Sequence, residues 1–282
     1  MFLFPPISTI KRGSVLIISM VMLAVFSLLA VGIYRISSAK IALARKIDEL
    51  ILSKQAAFAM AEVTLRNIQE DNSSYHTLYE LRTPREKIFN LAKVSYYFID
   101  EESKINVNKA TCKTLEKFEA LDEDDARNIY ESILKPYCLK EELLLVEDMD
   151  VEKYNKIKDY LTVYGNGAVN INTADREVLV ALGMRESLVD DIVSFRMGFD
   201  AQELTEDDNY FENTNEIIEK LNEYCGLFQE DKEKLQELIS THLIDTKSSN
   251  FKMHLEVKVK NHLAKKYDII INKNGIVEWR EE

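Results

Sequence analysis

The chain has 282 residues, 46% hydrophobic and 30% charged, with a formal net charge of −12. That composition is globular, long enough for one large or two ordinary domains, and its acidity excludes a polyanion as a general partner. Eight glycines and four prolines leave no low-complexity linker; Cys112, Cys138 and Cys225 form no C-x-x-C, so no disulfide framework is implied, although one bridge stays open for an exported domain.

From Ser14 to Ile33 the chain reads SVLIISMVMLAVFSLLAVGI, without a charge or a proline. Twenty residues of helix span roughly 30 Å, the hydrocarbon thickness of a bilayer. A buried core helix keeps a polar face and this segment has none, so membrane insertion is predicted. Charge does not orient it, because Arg35, Lys40, Arg45 and Lys46 rival Lys11 and Arg12 on the other side. A secretory signal cut after Ala39 is one reading of residues 1–39, but its apolar region would be only about 7–15 residues. A plain anchor is a second reading, and a cleaved leader a third.

No helix breaker occurs between Tyr34 and Asn67, and Ile47, Ile51, Phe58, Ala61, Leu65 and Ile68 recur at helical steps. A long amphipathic rod results, which needs a sheet to cover it. VSYYFID (94–100) reads as a strand. FKMHLEVKVK (251–260) places Phe251, Met253, Leu255, Val257 and Val259 on one face, and YDIIINKNGIVEW (267–279) adds a hairpin at Asn274-Gly275. A helix-plus-sheet domain is therefore interrupted, over residues 104–245, by something helical.

That interruption contains one phrase twice, KINVNKAT (104–111) and AVNINTAD (168–175). Asn106, Asn108 and Thr111, then Asn170, Asn172 and Asp175, are residue types that cap helix starts, so each copy reads as a helix entrance. Behind Thr111 follow Leu115, Phe118, an acidic turn, Ala126, Ile129 and Ile133; behind Asp175 follow Val178, Leu179, Leu182, Gly183, Leu188, Ile192, Val193 and Phe195. Each is a pair of helices around a tight turn. The second copy closely resembles the helix-hairpin-helix motif, and the first resembles it more loosely. Such motifs often bind DNA through a Gly-rich nest of backbone N–H groups. Here the first turn carries Asp122, Glu123, Asp124 and Asp125, which repel phosphate, and the second has a single glycine. Nucleic-acid binding is not expected.

His76, His242, His254 and His262 are scattered and match no catalytic motif, with His254 on the polar face of its strand. No enzymatic activity or cofactor is expected. The loop 199–216 clusters Asp200, Glu203, Glu206, Asp207, Asp208 and Glu212, a set of hard ligands for calcium that lacks EF-hand spacing. A solvated acidic loop is the preferred reading.

KRGSVLII (11–18) resembles the prepilin-peptidase site of type IV pilins and pseudopilins. That likeness makes Lys11 and Arg12 the basic pair, Gly13 the last leader residue and Ser14 the N-methylated mature start. KQAAFAMAEVTLR (54–66) resembles the Ala-rich helix of pseudopilins. Leader, long helix, all-α insertion with two N-x-N phrases and closing sheet together resemble the general secretion pathway protein K family, the large minor pseudopilins of type II secretion. FIDEESKINVNKAT (98–111), YLTVYGNGAVNINTA (160–174), SSNFKMHLEVKV (248–259) and VEWRE (277–281) carry the likeness, while residues 73–92 and 200–245 contribute little.

The resemblance implies an α+β pseudopilin fold with an inserted all-α domain of two helix-hairpin-helix, SAM-like units. Its parts would be a leader (1–13), a transmembrane half-helix (14–34), a periplasmic helix and first part of the pseudopilin domain (35–103), the insertion (104–245) and the C-terminal strands (246–282). It further implies a non-enzymatic role at the tip of a periplasmic pseudopilus, starting its assembly for export across the outer membrane. The implied partners are other minor pseudopilins, the prepilin peptidase and the inner-membrane secretion platform. The implied location is the inner membrane, single-pass, with a cytoplasmic N-terminus. Ile18 is the fifth mature residue, where pilin-like subunits usually carry Glu and this family does not. The alternatives are a membrane-anchored DNA receptor of the competence type and a minor pilin of a type IV pilus.

Overall fold

The computed structural model describes residues 12–282, which form two units, one ending at Leu52 and the other spanning Ser53–Glu282. Helix α1 (Arg12–Glu70) contributes to both. In the first unit the helix is apolar on every side from Val15 to Ile33, and it is long and apolar enough to cross a membrane. Lys11 and the rest of the expected leader before it lie outside the described residues.

In the second unit the chain runs through α2 (Leu78–Arg82), β1 (Arg85–Phe89) and β2 (Ala92–Asp100). The insertion follows as β3 (Ile105–Asn106), α3 (Cys112–Leu115), α4 (Glu123–Glu131), α5 (Val151–Ile157) and β4 (Leu161–Thr162). It continues as β5 (Val169–Asn170), α6 (Arg176–Ala181), α7 (Glu186–Arg196), α8 (Ile217–Cys225), α9 (Gln229–Ser240) and β6 (Ile244–Asp245). The strands β7 (Asn250–Val259), β8 (His262–Asn272) and β9 (Gly275–Glu281) close the fold.

One antiparallel sheet has the order β1-β2-β7-β8-β9. Asp100 at the end of β2 sits opposite Phe251 at the start of β7, so the whole insertion leaves and returns between two paired strands. The five expected apolar residues of β7 are all buried, as strict alternation requires. Beside them, β8 is buried without alternation from Tyr267 to Ile271. Both of its faces are covered there. Tyr267 bonds Ser53 of α1 at 3.0 Å, while Ile270 and Asp268 share a pocket with Thr162 and Lys140 of the insertion.

The packed face of α1 overlaps the expected stripe only in part, through Ala61. Ser53, Ala56, Ala57, Met60, Ala61 and Thr64 are buried, whereas Phe58 is 45% exposed. Small residues let the helix axis approach the sheet, and Phe58 is left at the margin, stacked on Trp279 at 4.3 Å between ring centroids. Leu65 and Ile68 are half-buried. The poorly legible stretch 73–92 supplies α2 and the edge strand β1.

The insertion has one contiguous core running from Ile105 to Ile244. Both expected helix pairs form, α3 with α4 and α6 with α7. Ile133 is the exception to the expected seams: α4 ends at Glu131, Ser132 leaves helical geometry, and Ile133 is 97% exposed. The second pair turns at Gly183, whose φ of +84° suits a residue without Cβ.

Candidate functional site

The doubled phrase makes the same construction twice. Ile105 and Asn106 pair in parallel with Leu161 and Thr162; Val169 and Asn170 pair in parallel with Ile244 and Asp245. Each helical unit is thus closed by a two-residue bridge between its first and last strands.

The asparagines do not cap the helices as expected. Asn106 Oδ1 accepts from Asn108 N at 2.9 Å, and Asn170 Oδ1 accepts from Asn172 N at 3.0 Å, folding each phrase into a turn. Their amide nitrogens reach across the closure. Asn106 Nδ2 donates to the carbonyls of Tyr164 and Gly165, and Asn170 Nδ2 to His76 O, Ser248 Oγ and Asp100. Of the two expected capping positions, Thr111 accepts from Thr114 N at 3.2 Å. Asp175 occupies the N-cap position of α6 but makes no side-chain cap bond. Burial pushes its carboxyl above the ordinary range, opposed by the nearby Arg82 and Arg196.

Asp100, which sequence reasoning passed over, joins the sheet to the second helical half of the insertion. Its Oδ2 accepts from Thr173 Oγ1 at 2.6 Å, Ser248 Oγ at 2.5 Å and Asn170 Nδ2 at 3.0 Å; its Oδ1 accepts from Glu102 N at 2.8 Å. Complete burial raises its pKa against these donors. Neighbouring Glu102 accepts from Ser249 N and Asn250 Nδ2. Burial, aided by Asp100, pushes its carboxyl up to about 7. Gly165 passes so close that a Cβ there would lie 2.6 Å from Glu102 Oε1. The only sequence signal was an Asp at a strand end, just ahead of the first phrase.

The first helical half of the insertion is tied to the sheet on the opposite side from α1. Tyr164 donates to Glu278 at 2.6 Å, and Arg280 grips Glu141 through two nitrogens at 2.6 and 3.1 Å. Thr162 and Lys104 both bond Glu101, at 2.7 and 2.6 Å. These groups satisfy one another and hold the insertion on the sheet.

The acidic loop is similarly self-contained. Asp207 accepts from the amides of Phe199 and Asp200, and Asp208 from that of Leu204, while Thr205 bonds both carboxylates. Asp200 accepts from Gln202 N, Glu203 pairs with Arg196 at 3.0 Å, and Glu206 accepts from Tyr79. Among the described residues no three His, Cys, Asp or Glu side chains are grouped to hold a metal ion.

His254 lies on the polar face of its strand, as expected, but is half-buried there. It bonds Asp268 at 2.7 Å and lies against the Tyr97 ring. Burial pushes Asp268 up, but bonds from Lys252 and His254 outweigh it and hold the carboxyl low. Cys112 is half-buried, Cys138 and Cys225 are exposed, and none is paired. Arg12, Gly13 and Ser14 lie in helical backbone, and Ile18 is exposed on the helix of the first unit.

A long N-terminal helix on a small antiparallel sheet, with a helical domain set between two of its strands, is the pseudopilin fold. A solved structure shares it: a chain of the GspK-GspI-GspJ complex from the type 2 secretion system of enterotoxigenic Escherichia coli, at a TM-score of 0.58 and 13% identity. The similarity covers 84% of this chain and 95% of that one. No protein-family model and no curated protein matches.

Proposed function

We propose that this chain is a minor pseudopilin of a type II secretion system, seated at the tip of a short periplasmic fibre whose assembly it helps start. The observation that carries this reading is the placement of a complete helical domain between β2 and β7, paired neighbours in a sheet that packs on α1. A subunit so enlarged fits the end of a fibre better than its repeating body. The solved relative comes from a complex of three such components, which supports assembly with other minor pseudopilins.

In this reading the chain is an inner-membrane protein with a cytoplasmic N-terminus, processed by a prepilin peptidase and received by the secretion platform. It promotes export across the outer membrane without catalysis.

The test is co-expression of the full chain with minor pseudopilins from the same genome, followed by detergent extraction and purification through a tag on this chain. A stoichiometric hetero-complex is expected. Recovery of the chain alone, or as a homo-oligomer with those partners present, would refute the assignment.

A further inference from the structure

One end of the sheet carries a charge opposite to that of the chain. Lys87, Lys93, Lys258, Lys260, Lys265 and Lys266 gather at the β1–β2 and β7–β8 turns, on a protein of net charge −12. The turns are neighbours, since Lys260 N bonds Leu91 O. Glu86 pairs with Lys93 and Glu256 with Lys266, and the amide of Glu282 bonds Lys266 O at the margin. Lys87, Lys258, Lys260 and Lys265 have no ion-pair partner among the described residues. Apolar side chains stand between these cations: Ile88 is 71%, Leu91 62% and Leu263 52% exposed. Exposed leucines at turn tips, ringed by unpaired lysines, match a surface with anionic headgroups above an apolar layer.

This end is also where the chain enters the unit. Ser53 of α1 lies against Tyr267, and Gln69 bonds Lys273 O, so this part of α1 runs alongside β8 in the same direction. The five residues from Tyr267 back to His262 carry the β7–β8 turn about 17 Å beyond the level of Ser53. The turns therefore protrude at the end of the sheet where Ser53 enters the unit.

We propose that this sheet end docks on anionic phospholipid headgroups of the membrane that holds the chain's own helix. The proposal rests on the reading of residues 14–33 as a membrane span. Opposite charge recruits the lysines, and Leu91 and Leu263 reach below the headgroups when the roughly 30 Å of helix between Ile33 and Ser53 lies inclined to the surface. Docking holds the unit on the membrane until assembly draws it away.

The test uses the full chain in vesicles, with Cys112, Cys138 and Cys225 replaced by serine. A fluorophore is placed through Leu263→Cys or, as a distant control, Ile133→Cys, and a headgroup-nitroxide lipid serves as quencher. With one-quarter phosphatidylglycerol, quenching at 263 is expected to exceed that at 133. It should fall to the control level in pure phosphatidylcholine, in 1 M NaCl, and in Lys258→Glu/Lys260→Glu. The docked-to-free ratio should drop about fivefold per positive charge removed, so at least roughly 30-fold for the two lysines and further for their reversal to Glu. Equal quenching at both positions overturns the proposal. So does quenching at 263 that ignores lipid charge and salt, or that tracks protein density and so reports a second copy. An alkaline wash separates the two readings: loss of the chain from the vesicles sinks the span and this proposal together. Retention without differential quenching sinks this proposal alone.

Discussion

Asn172 and Phe211 exchange two hydrogen bonds: Phe211 N donates to Asn172 Oδ1 at 2.8 Å, and Asn172 Nδ2 donates to Phe211 O at 2.9 Å. Asn108 and Tyr137 do the same in the first helical half of the insertion, at 2.7 and 2.9 Å. In each case a side-chain amide imitates a strand neighbour and pins a distant aromatic residue's backbone. Phe211 is fully buried, so Asn172→Ala strands one donor and one acceptor away from water. At roughly 1–3 kcal/mol for each unsatisfied group, a loss of about 3 kcal/mol is expected. Asn108 is less enclosed, and Asn108→Ala should cost about half as much. Thermal unfolding of the two variants side by side checks the order; a smaller cost at Asn172 contradicts it.

These pairs mark the border of what the sequence discloses. Alternation in β7 and the Asn-Gly signal of the last hairpin are local, and both strands formed where they were expected. The repeat of N-x-N was visible, but its purpose was not. Capping is a short-range rule, whereas Asn172 reaches Phe211 and Asn170 reaches Asp100, partners that become adjacent only after the domain has closed. The α1 stripe misled for a related reason: periodicity fixes which residues share a face but not which face a sheet selects. The sheet kept Ala61 of the stripe but selected the small residues Ser53, Ala56 and Ala57 beside it over Phe58. Edge strand β1, only half-covered at best, has no alternation to betray it.

Glu102 makes stability depend on pH. Its folded pKa of about 7 exceeds the ordinary 4.5, so the folded state holds the proton more tightly than the unfolded state. Its stabilising contribution is complete below the unfolded pKa and is lost as pH rises through the folded one. Between about pH 4.5 and 7 this amounts to a loss on the order of 3 kcal/mol. Glu102→Gln keeps the shape without the titration. Its melting temperature should fall less than that of the parent between pH 5 and pH 8, and parallel profiles would exclude Glu102 as the source.

The helix pairs should not bind DNA. Asp122 accepts from Asp125 N at the start of α4, so a carboxylate already occupies the helix N-terminus that a phosphate would need. In fluorescence anisotropy with a labelled duplex at 50 mM salt, no binding is expected up to about 10 µM protein. Micromolar affinity that weakens steeply with added salt would revive the DNA-receptor alternative.

Processing is expected between Gly13 and Ser14. Intact mass of the chain, co-expressed with a prepilin peptidase and extracted from membranes, should correspond to residues 14–282 plus one methyl group. Gly13→Val should leave the full precursor, because a branched side chain enters where the substrate offers none. A mass beginning at Lys40 would instead identify an ordinary signal peptide.

Cleavage after Gly13 would make Ile18 the fifth mature residue, a position that bears on the proposed place in the fibre. A glutamate there, as in most pilin-like subunits, pairs with the terminal ammonium of a neighbour inside the apolar fibre. An unpaired charge in that setting costs several kcal/mol, so the carboxylate helps recruit each subunit onto the next. Ile18 cannot form such a pair, and a subunit with no neighbour ahead of it has no ammonium to neutralise. The tip assignment therefore predicts side-by-side contact of α1 with the helices of other minor pseudopilins. Single cysteines placed along residues 45–68, in the assembled system, should give cross-links to those partners of defined mass and few to a second copy. Introducing Ile18→Glu should not raise the yield of homotypic products. A repeating ladder made of this chain alone would place it in the body of a fibre, where the missing carboxylate would have no explanation.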